Sequence, residues 1–230
     1  MTLTRYTIQE CTNQVCRLRF PLGDDVDLKG CCPRCGSPTW AAVTPVSVND
    51  EKSLDRSTAD RNFEPSKLVI EALLDNIRSA WNVGSMFRTA DGTGIRHIHL
   101  AGFTPTPEHP KVAPTALGAE KTIPWTHYMN SLDVAAALKG QGWALWALED
   151  DPRGTELRPE SIFEKFYQAV ASPLLIIVGN EVFGVDPGLL ELCDRVLWIP
   201  MLGNKRSLNV AVAFGIAAYV LRFGSRVVVK

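Results

Sequence analysis

Five consecutive apolar residues, Leu174-Leu-Ile-Ile-Val178, run straight into Gly179-Asn-Glu181-Val-Phe-Gly184. A strand that alternates apolar and polar residues buries one face. A strand apolar at every position must be covered on both. That requirement points to a strand with helices on either side of its sheet, and the pattern from Lys67 onward agrees. Further strands are expected at 68–74, at 96–100, near Trp125, at 143–148 and at 195–199. Helical patterns fall between and after them, at 81–92, 114–121, 132–139 (ended by Gly140), 187–193 and 208–221. This alternation specifies an α/β fold, a mostly parallel sheet with helices on both faces. Sites in such sheets form at the carboxyl ends of strands. Glu181, bracketed by glycines directly after a buried strand, therefore belongs at a cleft edge.

Two other polar clusters fall at element ends. The strand 195–199 is stopped by Pro200, which has no N–H to give a sheet. Gly203 loosens the loop that follows, and Lys205 and Arg206 place two cations on it. Ser207 occupies the position expected of a helix N-cap. The helix 208–221 is apolar on nearly every face, so burial all round is expected. Asn209, in its first turn, is then a polar amide that needs a partner. Capping of the helix start and a role in a site both account for it. The remaining cluster is Asn82-Val-Gly84-Ser-Met-Phe-Arg88-Thr-Ala90, where Gly84 permits close backbone approach. Taken alone, an arginine among apolar helix residues such as Arg88 is most often a paired structural ion. No G-x-G-x-x-G follows the first strand and no G-K-[ST] is present, which removes the common dinucleotide and P-loop readings.

The first 66 residues are of another kind. Cys11, Cys16, Cys31, Cys32 and Cys35, five of the six cysteines, crowd into the first 35 positions. Cys32-Pro-Arg-Cys35-Gly36 has the form of a zinc knuckle, and 15 residues separate Cys16 from Cys32, a normal ribbon spacing. The expected ligands are Cys11, Cys16, Cys32 and Cys35, with Cys31 either spare or a substitute for Cys32. Four thiolates leave zinc no open position, so the site would be structural. A ribbon that has lost its metal and a redox function are the alternatives. Residues 44–66 are polar and lack an apolar period, as a linker does. Three parts are thus expected: a Cys-rich ribbon-like module at 1–43, a linker at 44–66 and the main domain at 67–230. The start, Met-Thr-Leu-Thr-Arg-Tyr, has no apolar signal region, and the longest apolar run is interrupted by Gly215. A cytoplasmic protein with no membrane partner is expected. The net charge is −1, so any nucleic-acid surface must be built from local cations.

Taken in order, the three clusters resemble the SpoU (TrmH-like) class of the SPOUT superfamily of RNA methyltransferases. Asn82, Gly84, Arg88, Thr89 and Ala90 match its N-x-G-x-x-x-R-T-A motif. Gly179, Glu181 and Gly184 match G-x-E-x-x-G. Ile199, Pro200, Met201, Gly203, Ser207, Leu208, Asn209, Val210, Val212 and Ala213 match I-P-M-x-G-x-x-x-S-L-N-V-x-V-A. Ala211 stands where the family often has Ser. The resemblance covers roughly residues 66–222 and leaves the cysteine module outside it. It implies a C-terminal deep trefoil knot from about Leu174 onward. It also implies a homodimer whose active site is completed across the interface. S-adenosylmethionine would bind on Leu148, Gly179, Ile199, Met201, Ser207 and Leu208. The reaction implied is methyl transfer to a ribose 2′-hydroxyl of transfer or ribosomal RNA. Arg88, Asn82, Glu181, Ser207 and Asn209 would be the catalytic set, with Arg88 clamping a phosphate. Lys205 and Arg206 would be either phosphate contacts or solvated loop cations. Base methylation and an inactive RNA-binding protein of the same fold are the competing functions.

Overall fold

A computed structural model describes residues 6–23, 30–43, 68–158, 172–204 and 207–224. The chain divides into two units, Met1–Phe63 and Glu64–Lys230. The linker expected at 44–66 lies outside the described residues.

In the first unit, β1 (Tyr6–Cys11), β2 (Arg19–Gly23) and β3 (Thr39–Val43) form an antiparallel sheet in the order β2-β1-β3. Two tight turns stand beside it. Asn13 Oδ1 accepts from Val15 N and Cys16 N. Gly36, at φ 72°, donates its N–H to Cys32 O at 2.9 Å. That left-handed backbone is open to glycine without a steric penalty.

Among the described residues, the second unit has seven strands: β4 (Ile70–Asp75), β5 (Ile98–Ala101), β6 (Trp125–Tyr128), β7 (Ala144–Leu148), β8 (Thr155–Glu156), β9 (Leu174–Val178) and β10 (Arg195–Trp198). Their order is β6-β5-β4-β9-β7-β10-β8, and every pairing among them is parallel. The helices are α1 (Ala80–Thr93), α2 (Ala113–Ala116), α3 (Ser131–Gly140), α4 (Pro187–Leu192) and α5 (Val210–Phe223).

All five residues of β9 are buried. Leu174, Ile176 and Val178 join a core that includes Val83 and Phe87 of α1 and Phe214 and Ala217 of α5. Leu175 and Ile177 join a second core with Val134 and Ala135 of α3 and Leu189 of α4. Each fully buried aliphatic side chain contributes about 1.5–3 kcal/mol, and this strand spends that gain on two faces at once.

Several expectations need correction. The helix expected at 114–121 is two pieces, α2 and a 3-10 turn at Ala119–Lys121. Leu117 (φ 51°) and Gly118 (φ 96°) are left-handed between them, which no continuous helix allows. Gly140 belongs to α3, and Gln141 follows as the C-cap. The edge strand β8 is too short to carry a period. Ser207 is not the N-cap of α5; Asn209 is, its Oδ1 accepting from Ala211 N (2.9 Å) and Val212 N (3.4 Å). Nor is α5 buried all round: Val212, Ile216 and Tyr219 are exposed at 51%, 37% and 62%. Among the described residues, no helix is long and apolar enough to cross a membrane.

Candidate active site and thiol cluster

Strand β4 has β5 on one side and β9 on the other, so the chain's path across the sheet reverses between β4 and β9. Ligand crevices in open parallel sheets form beyond the strand ends at such a point, and the three polar clusters meet there.

The loop after β9 is closed by its own backbone. Asn180 N donates to Gly184 O and Gly184 N to Asn180 O, both at 2.9 Å. Gly184 has φ 75°. A Cβ on Gly179 would collide with the backbone of Gly184 and Val185. Closing this loop therefore requires both glycines. Asn180 completes it: Oδ1 accepts from Val182 N (2.9 Å) and Phe183 N (3.1 Å), and Nδ2 donates to Asn76 O (2.8 Å). Glu149, the residue after β7, ties down the far end by accepting from Val185 N at 2.9 Å.

The closed loop delivers Glu181 to the start of α1. Its carboxylate accepts from Arg78 N (2.8 Å), Ser79 N (3.1 Å) and Asn82 Nδ2 (2.9 Å). Partial desolvation opposes its charge. The Arg78 N–H, the Asn82 amide and the Ser79 N–H outweigh that effect and hold the carboxyl below its ordinary value. The positive end of the helix dipole acts in the same direction. Asn82 Oδ1 in turn accepts from Asn209 Nδ2 at 3.1 Å. An unbroken line thus runs from the capped start of α5 through Asn209, Asn82 and Glu181 to the start of α1. Its two side-chain links join residues 127 and 99 positions apart.

Beside this line lies a cavity of about 320 Å³, walled by the segments after β7, β9 and β10 and by the start of α5. Leu148, Gly179, Ile199, Met201, Ser207 and Leu208 all line it, as do Glu181 and Asn209. Asn82 meets the cavity wall through its bonds to those two. The volume and apolar floor suit a nucleoside-sized ligand.

Arg88 stands apart. It borders a second concavity with Ser85, Thr89, Pro114 and Thr115. It is exposed and makes no hydrogen bond or ion pair among the described residues. Six residues of α-helix place it about 120° around α1 from Asn82 and about 9 Å further along. Gly84 does mark a close approach, to α2: a Cβ there would collide with Val112 O and Thr115 Oγ1. Lys205 and Arg206 lie outside the described residues. Asn180, Asn76 and Glu149 organise the site without having been anticipated. The acidic run Glu149-Asp150-Asp151, at the carboxyl end of a strand, was the available signal for Glu149 alone.

In the first unit, the sulfurs of Cys11, Cys16, Cys32 and Cys35 lie within 4.8 Å of one another. Cys11 and Cys35 are 3.5 Å apart and Cys16 and Cys32 3.9 Å. Disulfide sulfurs sit at about 2.05 Å. Tetrahedral zinc with Zn–S near 2.3 Å places its sulfurs about 3.8 Å apart. The donor set and its spacing fit that ion. Without an ion the four thiols share their protons unevenly: the Ser37 hydroxyl and backbone N–H lower Cys35 to about 6, while burial raises Cys11 to about 12. Cys31 is exposed and stands outside the cluster.

The model of the SpoU rRNA methylase family matches residues 70–219, from the first residue of β4 into α5. The chain belongs to the SpoU rRNA methylase family. The family span contains all three polar clusters and the cavity and excludes the cysteine unit. A 23S rRNA (guanosine(2553)-2′-O)-methyltransferase of Bacillus subtilis is 35% identical over 191 residues, 83% of this chain and 72% of that protein. A 23S rRNA (guanosine-2′-O-)-methyltransferase of Pseudomonas syringae is 31% identical over 179 residues, 78% of this chain and 66% of that protein. Among solved structures, an AdoMet-bound rRNA methyltransferase of Sinorhizobium meliloti superposes with a TM-score of 0.59 at 25% identity. That alignment covers 74% of this chain and 60% of the other. The chain thus spans between three fifths and three quarters of each of these family members.

Proposed function

We propose that this chain transfers the methyl group of S-adenosylmethionine to a ribose 2′-hydroxyl of ribosomal RNA in the cytoplasm. The observation that carries the reading is the line Asn209–Asn82–Glu181, which joins three motifs at the mouth of a nucleoside-sized cavity. The named activities of the Bacillus and Pseudomonas relatives support the reaction and the RNA class. The bound ligand of the Sinorhizobium structure supports the cofactor.

When bound, S-adenosylmethionine supplies a methyl group already activated on a sulfonium. Leu148, Ile199, Met201 and Leu208 give it an apolar seat, and the closed Gly179–Gly184 loop offers backbone groups at its edge. The acceptor alcohol must lie in line with the methyl while losing its proton. Asn82 and Asn209 hold the mouth in one geometry for that alignment, and Ser207 adds a hydroxyl to the wall. Arg88 clamps the neighbouring phosphate bidentately and stabilises the developing alkoxide.

Arg88 borders a different concavity from Glu181 in one chain, and α5 exposes the stripe Val212, Ile216 and Tyr219. Both features support a homodimer in which Arg88 of the partner subunit completes each cavity. The chain from about Leu174 onward would be the knotted part. The four-thiol cluster would hold one structural zinc. Calorimetric titration with S-adenosylmethionine should give one site per chain. Ribosomal RNA from cells carrying Arg88→Ala should lack one 2′-O-methyl group. Absence of cofactor binding would overturn the reading.

A further inference from the structure

Two exposed phenylalanines, on loops at the carboxyl end of the sheet, have no role in the chemistry above. Phe183 is 86% exposed and lies in the loop after β9; Phe103 is 63% exposed and follows β5 by two residues. Large apolar side chains held in water on unrestrained loops would fold back. These two are restrained by backbone bonds. Phe183 N donates to Asn180 Oδ1 at 3.1 Å. Asn180 Nδ2 donates to Asn76 O at 2.8 Å, and Phe103 N donates to Asn76 Oδ1 at 3.3 Å. Asn76 itself has φ 54°, and a Cβ on Gly102 would collide with its side chain. Two asparagine amides therefore staple both loops to the end of β4.

The sheet sets how far apart the two loops begin. Strands β5 and β9 flank β4, so their ends are two inter-strand spacings apart, about 10 Å. A planar ring between two others takes up two contacts of about 4.5 Å or more. The two phenyl rings make no contact with each other among the described residues. Between the two loops, on the β4–α1 connection, stands Arg78. It is exposed and has no ion pair among the described residues, and its backbone N–H is committed to Glu181. Val182, next to Phe183, lines the cavity. The loop that carries Phe183 thus reaches the wall of the methyl-transfer site.

Resting on the proposed RNA methyl transfer, we infer that Phe103 and Phe183 form a stacking slot for an unpaired nucleobase beside the target ribose, with Arg78 on its phosphate. An aromatic pair flanking a free guanidinium is the chemistry that binds single-stranded RNA without reading its sequence. It would hold the neighbour of the target base out of the stack.

The test uses the full chain and two labelled probes: a 12-nucleotide single-stranded RNA and an abasic strand of equal length. Wild type should bind the RNA more tightly. Phe183→Ala and Phe103→Ala should each weaken RNA binding about 5- to 150-fold and leave the abasic strand unaffected. Phe183→Trp should retain the preference. Arg78→Ala should weaken both probes alike and reduce the salt slope by about one. Equal wild-type affinity for the two probes overturns the slot, as does an alanine variant that keeps the preference. A change of sedimentation rather than RNA affinity in the Phe variants makes the occupant a second copy of the chain and also overturns it. Titration with S-adenosylmethionine separates the two levels. Variants that bind the cofactor normally are folded, while a wild type that does not bind it sinks the methyl-transfer reading whatever the probes show.

Discussion

Asn209 uses both ends of one amide. Its oxygen caps α5 and its nitrogen reaches Asn82. The two uses separate by mutation. Asn209→Ala removes both and should cost about 1 kcal/mol of stability, the usual worth of an N-cap, together with activity. Asn209→Asp keeps the capping oxygen but sets an acceptor against Asn82 Oδ1. Thermal unfolding should then show stability near that of wild type while methyl transfer falls. Glu181 adds a pH dependence with a definite sign. Its carboxyl is lowered in the folded protein. The stability it contributes is complete above the ordinary carboxylate value, about 4.3, and is lost as pH falls through the folded value. Asp75 acts oppositely, because burial raises it and stability recovers as it protonates. The difference in unfolding temperature between wild type and Glu181→Gln isolates Glu181. It should be largest near about pH 6 and shrink toward about pH 3. Asn82, Glu181 and Asn209 were legible in the sequence because each is a polar residue at a motif's fixed place. Asn180 and Asn76 were not. They bind backbone atoms of loops distant in sequence, and a side chain that serves the backbone leaves no periodic trace.

At the scale of elements, apolar runs located the long strands and the two long helices. The all-apolar Leu174–Val178 run also announced a strand covered on both faces. The breaks were harder to read. Leu117 and Gly118 divide a helical pattern through backbone angle alone, and only Gly118 advertises that freedom. Exposure on α5 was hidden for a different reason: an apolar face reads the same whether a core or a partner covers it. The cysteine unit offers a clean element-scale prediction. Metal analysis should find about one zinc per chain. Cys32→Ser should abolish it and loosen the knuckles, seen as new proteolysis within residues 12–43. Cys31→Ser should leave the zinc content unchanged, because Cys31 stands outside the cluster.

For the whole molecule, the separation of Arg88 from the Glu181 cavity makes subunit mixing informative. Arg88→Ala and Glu181→Gln chains are each expected to be inactive. In the proposed homodimer, co-refolding them in equal amounts should recover about a quarter of wild-type activity, since half the dimers would be mixed and each would own one intact site. No recovery would place both residues in one chain's site. The sheet carries one more consequence, for how the chain is made. Every strand pairing in it is parallel, and β9 lies between β4 and β7, both earlier in the chain. A nascent polypeptide has all four clustered thiols in hand once Cys35 has left the ribosome. Until residue 178 emerges only β4, β5 and β6 can pair; β7 waits for β9, and β8 waits longer still, for β10. Nearly half of the chain must then wait, apolar edges unpaired, for a strand that arrives late. Long-range parallel pairing of this kind folds slowly and exposes a nascent chain to aggregation, so chaperone depletion is expected to lower its soluble yield.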